Sequence, residues 1–74
     1  MTPEEIAKVY AAMLYSIDSI KEGMDTSDKD EETLDFVKRN VNHLEVMVAK
    51  DWWTTEDMTA VNKAIADGNA YLGA

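Results

Sequence analysis

Eight carboxylates fall between Asp18 and Asp35: Asp18, Glu22, Asp25, Asp28, Asp30, Glu31, Glu32 and Asp35. The only basic residues among them are Lys21 and Lys29. A dense run of acids has three chemical uses. It can stabilise the positive end of a helix dipole and keep a loop solvated. It can present a negative patch to a basic protein, even standing in for nucleic-acid phosphates. It can hold calcium. An EF-hand loop beginning at Asp28 has Asp30 and Glu32 at the third and fifth places. It then needs a glycine at the sixth and a glutamate at the twelfth. Thr33 and Arg39 stand there, so the calcium motif fails.

Asp18 and Glu22 are four residues apart and so share a helix face. Paired carboxylates work as general acid and base only in a cleft that separates their pKa values. Nothing in a hairpin turn supplies one, and an exposed polar face is the simpler use. His43 is the single histidine, and there is no cysteine. A zinc site needs three or four ligands, and the Glu-x-x-His pattern of helical di-metal sites is broken by Asn40. No second base is available for a nucleophilic triad. The expectation is a non-enzymatic protein with no metal and no cofactor. Trp52 and Trp53 form the last conspicuous pair. Adjacent tryptophans can make a binding hot spot or a stacking platform, or can close the end of a core.

Whatever these groups do, a small scaffold must position them. The chain has 74 residues, 46% hydrophobic and 30% charged, which suits one globular domain spanning 1–74. So short a chain buries only about 60% of its unfolded surface and gains from a partner. Asp plus Glu number 15 and Lys plus Arg 7, a formal net charge of −8. That charge opposes direct binding to nucleic acid or to anionic membranes. The N-terminus lacks the basic region of a signal peptide, and no apolar run approaches the roughly 20 residues that span a bilayer. A cytoplasmic protein is expected.

The apolar pattern predicts an all-α domain of three helices: an antiparallel hairpin with a shorter C-terminal helix. Thr2-Pro3-Glu4-Glu5 is a capping box with proline at the first helical position. Ile6, Val9, Tyr10, Met13, Ile17 and Ile20 then form one stripe, with Gly23 a natural stop. Ser27 or Asp28 is the expected cap of a second helix reaching about Lys50. Its seam is Leu34, Val37, Val41, Leu44 and Val48, spaced 3-4-3-4. Thr54 is the expected cap of the third helix, with a Trp53–Met58 hydrophobic staple. Met58, Val61, Ile65, Gly68 and Leu72 share a face of that helix. Gly68 either ends it or admits a close neighbour.

The second helix carries more apolar surface than one seam uses. Phe36, Asn40, His43 and Met47 step 4-3-4 and form a second stripe. The third helix or the tryptophans would cover it within one chain. A second copy or a foreign helix would cover it otherwise, with Asn40 fixing the register. Phe36, Asn40, His43, Met47, Trp52 and Trp53 are therefore the candidate partner-binding residues.

The segment from Arg39 to Met58 reads RNVNHLEVMVAKDWWTTEDM. With its helix ending HLEVMVAKDWW and its cap TTEDM, it resembles the small acidic helical proteins of tailed bacteriophages. The resemblance covers this stretch of the second half of the chain and brings no functional residues with it. It implies a viral origin and two roles. One is a small component of a virion or its assembly, acting through self-association or a protein partner. The other is an acidic accessory inhibitor that occupies the basic site of a host protein. The place of action would be the host cytoplasm or the particle.

Overall fold

The computed structural model describes residues 2–26, 29–54 and 56–73. Three helices account for most of them: α1 (Pro3–Asp25), α2 (Glu31–Val48) and α3 (Thr59–Leu72). No strand occurs among the described residues. Every pair of helices is in contact, so the small all-α domain has one shared core. Ser16 meets His43 and Gly23 lies against Val37, so α1 and α2 run antiparallel. Tyr10 meets Asp57 and Ile20 lies near Gly68, so α1 and α3 run parallel. The core is Met13, Ile17, Ile20, Val37, Val41, Leu44, Val61 and Ala64. No helix among the described residues is long and apolar enough to cross a membrane.

The capping box forms as the sequence predicts. Thr2 Oγ1 accepts from the Glu5 amide at 3.2 Å, and Glu5 Oε1 accepts from the Thr2 amide at 3.2 Å. The bond from the Thr2 amide, followed by one from the Thr2 hydroxyl to the same Oε1 at 3.0 Å, holds the Glu5 carboxyl below its ordinary range. Gly23 is not the stop. The helix continues to Asp25, and the Thr26 amide donates to the Gly23 carbonyl at 3.3 Å. Gly23 is buried inside the helix because α2 comes close there. A Cβ at that position would lie 2.6 Å from Val37 Cγ2.

The cap of α2 is Asp30. Ser27 and Asp28, the expected caps, lie outside the described residues. Asp30 Oδ1 accepts from the Thr33 amide at 2.8 Å, with Glu31 and Glu32 following in the first turn. The backbone bond from Thr33 is the main cause that lowers the Asp30 pKa. A group with a lowered folded pKa stabilises the fold above its unfolded pKa. That contribution fades as pH falls through the folded one. The carboxylate therefore supports the helix at neutral pH and ceases to in acid. The helix ends at Val48 rather than Lys50, with the Lys50 amide turned back to the Met47 carbonyl at 3.1 Å.

The third helix begins at Thr59, not after Thr54. A contact 47 residues away in sequence explains the delay. The Tyr10 hydroxyl donates to the Asp57 carbonyl at 2.8 Å, and Asp57 Oδ1 accepts from the Thr59 amide at 3.0 Å. Trp53 Nε1 donates to the Met47 carbonyl at 2.7 Å. The described residues of the strap, 49–54 and 56–58, are thereby pinned across the end of the hairpin as irregular chain. Trp53 and Met58 are both half-buried against the core, so the expected staple residues do close it. Gly68 lies within α3, and the helix stops instead at Gly73, whose φ of 79° suits glycine.

Candidate functional site

The two apolar stripes of α2 face different neighbours. Val41 lies against Gly68 of α3. At about 100° per residue, Phe36, Asn40, His43 and Met47 fall roughly 100–160° round the helix from Val41. They border α1. His43 Nδ1 and Ser16 Oγ are 2.9 Å apart, and a Cβ built at Gly23 would lie 3.5 Å from Phe36 Cδ2.

Internal contacts take up much of the expected partner-binding set. His43 is half-buried and bonded to Ser16. Met47 packs on the core, and its carbonyl receives the Trp53 indole. Asn40 donates from Nδ2 to the Phe36 carbonyl one turn back, at 2.9 Å, a bond within its own helix. Trp53 also packs beside Tyr10, their ring centres 6.0 Å apart. Trp52 stands 6.1 Å from Trp53, with Lys50 Nζ 5.7 Å from its ring centre. Trp53 thus closes the end of the core, and Trp52 lies beside it, half-buried over the turn. Phe36 differs, with 39% of its surface exposed. Tyr15, 76% exposed, stands on the same side of the hairpin. It lies about 100° round α1 from Ser16, in the direction away from Ile17.

The acidic segment is displayed rather than folded in. Asp18, Glu22, Asp25, Asp30, Glu31, Glu32 and Asp35 are all exposed, and Asp28 lies outside the described residues. Among the described residues only one of these acids makes an ion pair, Asp35 Oδ2 with Arg39 Nε at 3.1 Å. Glu22, Glu32, Asp35 and Arg39 rim an open groove of about 500 Å³ between the end of α1 and the start of α2, with Gly23 and Phe36 on its wall. Asp18 does not line it, so this groove does not enclose the Asp18–Glu22 pair. No three metal-ligating side chains converge among the described residues.

Sequence reasoning missed Tyr15 and the Ser16–His43 bond. A usable signal was present, since Ser16, Ser19 and Gly23 step 3-4 along α1 and all three are buried. Small residues at that spacing let a neighbouring helix approach. No protein-family model, curated protein or solved structure matches the chain.

Proposed function

We propose that this chain is a non-enzymatic helical interaction module, a small virion or assembly component of a tailed phage. It acts in the host cytoplasm or the particle by contacting a protein partner or another copy of itself. The viral part of this reading comes from the resemblance of the Arg39–Met58 stretch. The observation that carries the interaction part is the exposure of Tyr15 and Phe36 on one side of the hairpin. Single exposed apolar residues are ordinary. Here two aromatics flank a helix pair whose remaining stripe is already half-buried, so an added surface extends an existing core.

Light scattering of the wild type and of Phe36→Glu at neutral pH tests it. Self-association gives a wild-type mass that is a multiple of 8.3 kDa and falls toward monomer in the variant. A wild type that stays monomeric at high concentration ends the self-association version and leaves a foreign partner.

The second reading, an acidic inhibitor of a basic host protein, is favoured by the exposed carboxylates that lack a cation of their own. A virion component is recovered stoichiometrically in purified particles. An inhibitor is absent from them, and its binding to one host protein weakens as salt is added.

A further inference from the structure

The groove at the α1–α2 turn is more than a cluster of acids, because an aromatic ring forms its wall. A side chain at position 23 would lie over that ring, 3.5 Å from Cδ2 and 3.9 Å from Cε2 of Phe36. Glycine leaves the ring open. Val37 enforces the glycine from below, at 2.6 Å from the absent Cβ. Glu22 of α1 and Glu32 of α2 line the same groove as the ring. Arg39 Nε pairs with Asp35 Oδ2 at 3.1 Å, so these two charges offset each other within the groove and Glu22 and Glu32 make up its net charge. Neither Glu22 nor Glu32 has a cation within ion-pair distance among the described residues.

We infer that this groove receives an arginine side chain from a basic segment of a protein partner. The inference rests on the reading that the chain acts through protein contact. An apolar face between two carboxylates matches a guanidinium, whose flat surface stacks on an aromatic ring while its edge donates to carboxylates. Lysine offers a point charge and no flat face. A second copy of this chain is the wrong occupant, because each copy carries −8 and brings mostly like charge to the groove.

The probe is acetyl-Arg-Ala-Arg-Ala-Arg-amide, titrated into the ¹⁵N-labelled full chain and followed by amide chemical shifts. The control probe has citrulline in place of each arginine. The expected result is saturable shifts centred on Gly23, Thr26 and Phe36 with the arginine peptide and none with citrulline. Glu22→Gln with Glu32→Gln should weaken binding about tenfold, through lost charge-assisted bonds. Phe36→Leu, which stays apolar, should weaken it about threefold. Glu4→Gln with Glu45→Gln removes the same net charge from the far end of the bundle and should leave the affinity within about twofold. Thermal melts of each variant confirm that it is folded.

Shifts spread over Glu4, Glu45 and the other exposed acids would mean general attraction to a −8 chain and would overturn the groove. So would an equal loss in the two Gln pairs, or no saturable binding. The interaction reading is separable from the groove in the same samples. If the peptide fails while Phe36→Glu still lowers the wild-type mass, the arginine site falls and the interaction module stands. If the wild type is monomeric and the peptide does not bind, the arginine site and the self-association version both fall, and a foreign partner of other chemistry remains.

Discussion

Leu44→Ala should remove a large part of the stability of the domain. Leu44 sits mid-seam on α2 with no exposed surface, packed among residues from all three helices. Truncating a buried leucine costs about 2–5 kcal/mol, the lost transfer energy plus a cavity term. At about 0.05–0.15 kcal/mol per residue, a chain of this length has only roughly 4–11 kcal/mol in all. For so small a domain each kcal/mol moves the melting temperature about 4–8 °C, so a drop of roughly 8–40 °C is expected. The matched control is Val46→Ala on the same helix, where 55% of the side chain is already exposed. Its effect should stay within about 0.5 kcal/mol. Circular-dichroism melts of both variants decide the matter, and a Leu44→Ala melt within a few degrees of wild type would remove Leu44 from the core.

Residues acting within one helical turn of one another were legible in the sequence. The Thr2–Glu5 box works over three residues, and the Val37–Val41–Leu44 seam follows from the helical period alone. The α2 cap shows how local choices still compete. Ser27, Asp28 and Asp30 are all good caps, and the choice depends on where the seam begins rather than on cap chemistry. The start of α3 was not legible. Thr54 is a sound cap by its neighbours, but the strap is fixed by the Tyr10 hydroxyl, 47 residues from the Asp57 carbonyl it reaches, and by the Trp53 indole on the Met47 carbonyl six residues back. The site divides the same way. Periodicity places Phe36, Asn40, His43 and Met47 on one stripe, and the structure keeps them there. It does not say that Ser16 of α1 takes the His43 nitrogen, so that His43 and Phe36 differ in availability. The stripe therefore marks an edge of the hairpin. Along it only Phe36 offers much surface to another molecule, and Tyr15 adds to the same side about two turns away along α1.

Gly68→Ala should lower the melting temperature, although alanine is the better helix former. In an exposed helix interior this change would add up to about 1 kcal/mol of stability. Gly68 is buried, and a Cβ there collides with Val41 Cγ2, with Ile20 Cγ2 next at 3.7 Å. Val41 is 1% exposed and β-branched, so its methyl cannot swing aside without leaving its preferred rotamer. Overpacking of this kind costs about 1–3 kcal/mol, more than the propensity gain over most of that range. The helices must part or the valine must strain, and either change reaches Ile20 across the same contact. The cause can be isolated with Val41→Ala. Alone, that variant leaves a cavity beneath Gly68. Combined with Gly68→Ala, the new methyl occupies part of it. The double variant should therefore be more stable than the two single losses predict by addition, with a coupling of about 0.5–3 kcal/mol. Gly23→Ala against Val37 should follow the same logic, at a slightly longer approach. Thermal melts of the four corners of the Gly68–Val41 cycle measure the effect. A Gly68→Ala variant that melts above wild type, as at an exposed helical glycine, would show that α2 and α3 do not meet closely at this point.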